Sequence, residues 1–265
     1  MRRGAAALLL AGAALARAQD SAADPHAAQP ERPTVATHAY TVAPGWIEVE
    51  SGLQFDRFEG GQAFSTPTTL KLGLAPRLQV EATFAWIDLG GSAAAQGMSD
   101  VILALKWRAP GRLPLLGDFA VQPAIRLPTG ADSVGSGRRA GSIVFVSSNH
   151  FGPVELDVNL GLVTRIGASA LPLQGWWTAS AGTNVAGRLG WTLEIYGYPG
   201  TSGADAAAPL VGLLTGPTWT VHDWFVLDAG AVVPVSGPQP HSLYMGLTWN
   251  IGRVWGPPPN PAPSR

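Results

Sequence analysis

Hydrophobic and polar residues alternate with a period of two along most of the chain between Trp46 and Ile251. The pattern is clearest in residues 101–108 and 118–127, where Val, Leu, Ile, Phe and Trp alternate with Asp, Lys, Arg, Gln and Ala. A period of two places successive side chains on opposite faces of a β-strand. Each run therefore has an apolar and a polar face, and the Pro- and Gly-rich break between them predicts an antiparallel pair.

Continuing this pattern along the chain predicts about twelve strands of about ten residues each. Short turns are predicted at 75–77, 151–153, 186–188 and 221–223, and longer links at 57–65, 90–97, 129–139, 167–175, 200–209 and 235–240. This alternation is typical of outer-membrane barrels, which have short periplasmic turns and longer extracellular loops. The link 109–117 is an exception, because it is too long for a tight turn. We predict an all-β protein, a closed antiparallel transmembrane β-barrel.

The chain divides into four parts. Residues 1–18 read as a signal peptide, with two arginines, a short apolar run and an Ala-Arg-Ala cleavage site, which predicts export to the bacterial outer membrane. Residues 19–43 lack periodicity and predict a disordered mature N-terminus. Residues 44–252 form the predicted barrel, and residues 253–265 form a Pro-rich tail. An even strand number places both ends of the barrel on the periplasmic side.

Tryptophan prefers the interface between membrane and water, so its positions test the prediction of a barrel. Five tryptophans fall at the predicted periplasmic strand ends and three at the opposite ends; these are Trp107, Trp191, Trp219, Trp224 and Trp249, and Trp86, Trp176 and Trp177. They predict two aromatic girdles. Two prolines, Pro123 and Pro217, lie inside strands and predict a local bulge at each.

Three stretches resemble the outer-membrane transporter-like family named for the MetA pathway of phenol degradation. They are residues 69–87, residues 97–108 with Asp100 and Lys106 in place, and the Leu-Pro-Thr-Gly sequence at 127–130. The resemblance implies an outer-membrane β-barrel in a family associated with uptake of aromatic or other hydrophobic small molecules.

Composition excludes several classes of function. The chain has no cysteine, so disulfides, thiolate metal sites and a lipidated cysteine are ruled out. Only 13% of residues are charged, the net charge is −1, and the basic residues are scattered, which argues against nucleic-acid binding. The five histidines lack ligand spacing, so we predict neither a metal nor a cofactor. The expected partners are outer-membrane lipid and small hydrophobic or aromatic solutes.

If the apolar faces meet lipid, the charged alternate positions line the lumen. These candidates for a transport path are Glu48, Glu50, Lys71, Glu81, Asp100, Lys106, Arg108, Asp118, Arg126, Glu155, Asp157, Arg165, Glu194 and Asp228. They could form a polar constriction that filters solutes, or ion pairs that only fill and stiffen the barrel. We expect Arg108 to lie opposite Asp118, and Asp100 opposite Arg126, since unpaired charges in a narrow bore are costly.

These observations predict passive passage or uptake of small, hydrophobic or aromatic molecules through a narrow charged lumen, and no catalytic residues. One alternative is a structural or ligand-binding barrel whose lumen is sealed by loops or by the mature N-terminus. A second is an outer-membrane lipid hydrolase or acyltransferase that uses Ser148, His150 and Asp157, which share neighbouring strands. A third is a soluble secreted β-sandwich, which would extract without detergent.

Overall fold

The computed structural model describes residues 24–91, 94–166, 173–201 and 207–256, apart from the side chains of residues 164–166. In these ranges the chain forms thirteen strands. They are β1 (Trp46–Phe58), β2 (Gly61–Ala75), β3 (Leu78–Gly91), β4 (Ala95–Met98), β5 (Val101–Arg108), β6 (Asp118–Leu127), β7 (Arg139–Phe151), β8 (Val154–Ile166), β9 (Gln174–Ala186), β10 (Leu189–Tyr198), β11 (Leu210–His222), β12 (Phe225–Ser236) and β13 (His241–Arg253). No described helix is long and apolar enough to span a membrane.

Twelve of these strands close into an antiparallel barrel, which confirms the predicted fold. Each of the twelve long strands pairs with two others, and β1 pairs with both β2 and β13, so these strands close into a ring. Closure satisfies the backbone donors and acceptors that lipid cannot satisfy. The short strand β4 was not predicted; it pairs with the end of β3 that β5 does not reach.

The predicted alternation of turn lengths holds for several connections but is wrong for the link 57–65. There β1 and β2 extend until only Glu59 and Gly60 separate them, and Gly60 has a φ of 83°, which suits a tight turn. The link 109–117 is the long connection that was expected, narrowed by a bridge between Leu113 and Gly117. The predicted links 90–97, 167–175 and 200–209 fall partly outside the described residues.

The apolar face of the strands points outward. Leu103 and Leu105 are each 40% exposed and Leu160 is 59% exposed, whereas Lys106 and Glu194 are 0% exposed. A water-soluble domain shows the opposite arrangement, with leucine enclosed and lysine in solvent. The structure therefore has the inverted distribution of a barrel surrounded by lipid.

The tryptophans follow the predicted girdles with two corrections. Trp224, predicted for the periplasmic girdle, stacks on His26 inside the barrel, with ring centroids 5.7 Å apart. Trp107, Trp191 and Trp219 lie exposed on the outer surface near the short-turn end. Trp176, predicted for the opposite girdle, instead faces the lumen: its indole packs over Gly161 and stacks on Tyr198 with ring centroids 6.2 Å apart. The absence of a side chain at Gly161 provides the space that makes this inward orientation possible.

The two prolines interrupt the ladder without adding a residue, so the predicted bulges are wrong. Pairing between β5 and β6 is missing beside Pro123 and resumes in the same register, and pairing between β11 and β12 behaves likewise beside Pro217. Proline lacks only one N–H donor, and the flanking pairs hold the strands in place.

The register between β5 and β6 differs from the prediction by two residues. Arg108 lies opposite Ala120, and Arg126 lies opposite Ile102. The cause is the link 109–117, in which the N–H of Ala109 donates to the carbonyl of Phe119 at 2.8 Å. Because the shift is an even number of residues, it moves no side chain to the other face.

The predicted disorder of residues 19–43 is not what the structure shows for residues 24–43. These residues follow a defined path inside the barrel, without regular secondary structure. They have no strand pattern of their own, and side chains of the barrel wall bind their backbone amides. Residues 19–23 lie outside the description.

Candidate functional site

The barrel lumen is occupied by residues 24–45, which we call the plug. The plug starts at the rim beside Asp223 in the turn between β11 and β12, passes Glu194 in β10, and returns to the same rim beside Gly73 in β2. The strand β1 begins directly afterwards. The plug is therefore a loop that enters and leaves the lumen at the rim that carries the short turns.

Side chains of the wall hold the backbone of the plug. The wall groups accept hydrogen bonds from its N–H groups, as follows: Gln29 to Glu48 at 2.7 Å, Glu31 to Glu50 at 2.6 Å, Val35 and Ala36 to Glu194 at 2.8 Å, Thr37 to Asn159 at 2.7 Å, Ala39 to Ser148 at 2.8 Å, and Val42 to Gln79 at 2.6 Å. An irregular buried segment requires such partners, because each unpaired buried amide is costly.

A buried cluster of charges joins the plug to strands β1, β2 and β5. Lys71 Nζ lies 2.7 Å from a carboxylate oxygen of Glu50, 3.2 Å from one of Glu48 and 3.3 Å from one of Glu31. The other oxygen of Glu31 contacts Lys106 Nζ. Both lysine side chains are fully buried, so the carboxylate of the plug bridges two cations of the wall.

The predicted lumen residues differ in how far they are buried. Those buried in the wall are Glu48, Glu50, Lys71, Glu81, Asp100, Lys106, Glu194 and Asp228, and those partly buried are Arg108, Asp118, Glu155 and Asp157. Arg126 is exposed at the far end of β6. Arg165 belongs to β8, and its side chain lies outside the description.

A predicted ion pair forms at the short-turn rim despite the altered register. Arg108 Nη1 lies 3.9 Å from a carboxylate oxygen of Asp118, and Arg112 Nη1 lies 3.7 Å from the other. The Arg108 guanidinium also lies 5.6 Å from the centre of the Tyr40 ring in the plug. These groups line a cavity of about 640 Å³ between the two legs of the plug, and a second cavity of about 420 Å³ lies on the other side of the plug.

Asp100 does not contact the plug; its carboxylate binds the loop between β6 and β7 instead. It accepts hydrogen bonds from the N–H of Gly130 at 3.0 Å, from the N–H of Ser136 at 2.9 Å, and from the Ser136 hydroxyl. Burial alone would raise the pKa of Asp100, but these hydrogen bonds lower it below its ordinary value. Asp100 thus fastens the loop 128–138, which begins within the Leu-Pro-Thr-Gly sequence.

The candidate catalytic group does not have the connectivity of a Ser-His-Asp triad. Ser148 is fully buried, and its hydroxyl donates to Asp157 at 2.5 Å rather than to His150. His150 Nε2 instead lies 2.9 Å from the hydroxyl of Tyr40. A nucleophile needs a hydrogen bond to its general base, so this arrangement supports a role for Ser148 in holding the plug.

Beyond the charged zone an apolar cluster lines one side of the lumen, which the alternation did not predict. Tyr196, Leu214 and Tyr244 are buried there and pack with Val35 at the tip of the plug; Tyr198, Leu210 and Val232 surround them. These residues occupy the lumen face of β10 to β13, where sequence analysis considered only charged positions. The sequence signal that could have revealed this apolar cluster is the presence of tyrosine at inward positions of β10 and β13.

The fold defines the class of the protein: an outer-membrane β-barrel. Its backbone is similar to the crystal structure of the COG4313 outer membrane channel from Pseudomonas putida F1, with a TM-score of 0.61 and 14% sequence identity, covering 80% of this chain and 97% of that chain. The translocator domain of the autotransporter NalP from Neisseria meningitidis has a TM-score of 0.46 and 11% identity over 93% and 96% of the two chains. No family model matches the sequence, and neither does any curated protein. At such identities the similarity shows the fold alone.

Proposed function

We propose that this protein is an outer-membrane channel for passive passage or uptake of small hydrophobic or aromatic molecules. One observation carries the proposal: the kind of contact that holds the plug in the lumen. The lumen is occupied by a segment held mainly through hydrogen bonds and ion pairs, with Val35 and Ala39 packed against wall side chains. Such contacts can exchange with water or with a solute, so the block is removable without unfolding the barrel.

The resemblance to the family of the MetA pathway and the apolar cluster around Tyr196 and Tyr244 support the choice of cargo. A solute that reaches the plug from the loop end of the barrel contacts this cluster before it meets the charged zone. An apolar or aromatic body gains free energy by leaving water at such a surface. Export through the signal peptide 1–18 belongs to the same proposal.

The absence of cysteine permits a direct test. Ala39 N lies 2.8 Å from Ser148 Oγ, so the double variant Ala39→Cys/Ser148→Cys is expected to lock the plug to the wall when oxidised. Purified protein in planar bilayers should conduct more after reduction than before it. A matched single variant, Ala39→Cys, should show no response to the reductant.

A second candidate is a structural or ligand-binding barrel with a sealed lumen, and the plug itself favours it. The number of wall groups that bind the plug fits permanent closure as well as a gate. This candidate predicts that the double variant stays electrically silent and impermeable in swelling assays when reduced. It also predicts the same silence for a protein that lacks residues 24–40, provided that this protein keeps the resistance to SDS typical of folded barrels.

A further inference from the structure

Arg32 of the plug is seated in a slot of the barrel wall. Its Nε and Nη2 lie 3.3 Å and 3.4 Å from the two carboxylate oxygens of Asp228, and Nη2 lies 3.5 Å from the carbonyl oxygen of Met245. Two parallel N–H groups facing one carboxylate is the bidentate geometry by which guanidinium is recognised. The Asp228 side chain is 2% exposed, so the ion pair is shielded from bulk water.

Two glycines form the floor of the slot. Gly52 of β1 and Gly246 of β13 lie directly opposite each other, and a Cβ at either position would fall less than 3.0 Å from atoms of the Arg32 guanidinium. Neither glycine has a positive φ, so the backbone conformation does not require glycine. A Cβ would also meet a carbonyl of the neighbouring strand, so the two glycines together set the depth of the slot.

The slot adjoins the apolar cluster. Tyr244 lies two residues before Gly246 on the same face of β13, and it packs with Tyr196, Leu214 and Val35. A cation in the slot therefore has a carboxylate on one side and an aromatic, apolar surface beside it. This combination fits a positive group on an apolar or aromatic body, since the charge and the body each find a complementary surface.

The wall around the slot carries an excess of negative charge, and groups of the plug hydrogen-bond to most of the acids. Among the described residues, the buried acids that face the plug zone are Glu48, Glu50, Glu81, Glu194 and Asp228, whereas the buried cations are Lys71 and Lys106. Backbone N–H groups of the plug and Arg32 satisfy most of these acids. When the plug leaves, the open lumen favours cations over anions.

We propose that the slot formed by Asp228, Gly52 and Gly246 is a binding site for small amphipathic cations, and that Arg32 fills it as an intramolecular stand-in. The ligand class is an amidinium, guanidinium or ammonium group on an aromatic or apolar body. Solute and plug compete for the slot, so binding of the solute favours release of the plug. This inference rests on the proposed channel function and specifies its cargo.

The test compares three solutes that share one ring and differ in charge: benzamidinium, benzamide and benzoate. Their permeation into liposomes is measured for the full chain, for Arg32→Ala and for Arg32→Ala/Asp228→Asn. In Arg32→Ala we expect benzamidinium to permeate roughly tenfold faster than benzoate, which is the discrimination that a charge-assisted hydrogen bond supplies. The second substitution should lower that preference severalfold, and the remaining buried acids of the lumen keep a weaker preference for cations. Arg57→Ala, at an exposed arginine of β1, is the matched control and should behave as the unmodified chain.

A further variant distinguishes binding in the slot from the general electrostatic attraction of cations into the lumen. Gly246→Ala in the Arg32→Ala background fills the slot without changing any charge, so it should reduce permeation of benzamidinium and leave benzamide unchanged. Retained resistance to SDS establishes that each variant is folded. Equal permeation of the three solutes through Arg32→Ala would overturn the cation site and leave the channel intact. Impermeability to all three, also in the reduced Ala39→Cys/Ser148→Cys protein, would instead overturn the channel function.

Discussion

Glu31 offers the most direct test of how the plug is held, because it is the only acidic residue of the plug that bridges two buried lysines in the described part of the chain. The substitution Glu31→Gln keeps the shape of the side chain and removes its charge. The ion pairs with Lys71 Nζ, at 3.3 Å, and with Lys106 Nζ are both lost. The backbone hydrogen bond from Glu31 N to Glu50 stays in place.

The magnitude follows from the environment of the two lysines. The Glu31 side chain is 11% exposed and both lysine side chains are 0% exposed, so screening by water is limited. A hydrogen bond between charged groups contributes about 1.5–3 kcal/mol, and glutamine retains part of one through its carbonyl. We therefore expect docking of the plug to weaken by about 2 kcal/mol, which raises the undocked fraction roughly thirtyfold.

The undocked fraction can be measured by labelling a cysteine in the plug. Val35→Cys places a thiol at the tip of the plug, and the natural chain has no cysteine to compete. When undocking is fast relative to labelling, the rate with a bulky maleimide is proportional to the undocked fraction. Asp56→Asn is the matched control, because this lumen carboxylate accepts its described hydrogen bonds from Gln54 and not from the plug. A labelling rate that changes less than twofold in Glu31→Gln would refute the view that this charge cluster holds the plug.

Three further predictions concern the wall and the loops. Leu160→Arg on the lipid face should lower the free energy of unfolding by about 2–4 kcal/mol if its position is near the middle of the membrane, measured by urea titration in lipid vesicles. Because the pKa of Asp100 is lowered from 3.8, its stabilisation of the loop 128–138 should be complete above that pH and be lost as the pH falls through its folded value. Relative to cleavage of an unstructured peptide at the same pH, pepsin cleavage of this loop should thus accelerate with acid in the natural chain, and Asp100→Asn should show no such relative acceleration. Gly161→Ala should displace the Trp176 indole that packs over it, visible as a loss of near-UV circular dichroism with the barrel retained.

The fold was largely determined by the sequence itself. Alternation with a period of two assigns each side chain to one of two faces, and an apolar face of twelve successive strands requires lipid or a core. Strand number, closure and the outward position of Leu103 and Leu160 follow from this local rule. Glycine and proline, which restrict or free the backbone locally, located most of the short turns.

The contents of the lumen were decided only by the tertiary structure. Residues 24–43 carry no periodic pattern, because their partners are single wall side chains such as Glu194 and Ser148, spread over several strands. The same holds for the two-residue shift of register beside the link 109–117 and for the inward rotation of Trp176 over Gly161. Contacts between residues far apart in sequence leave no local signature. The charged positions could therefore be assigned to the lumen, and the mature N-terminus could be named only as one alternative seal, without its wall partners.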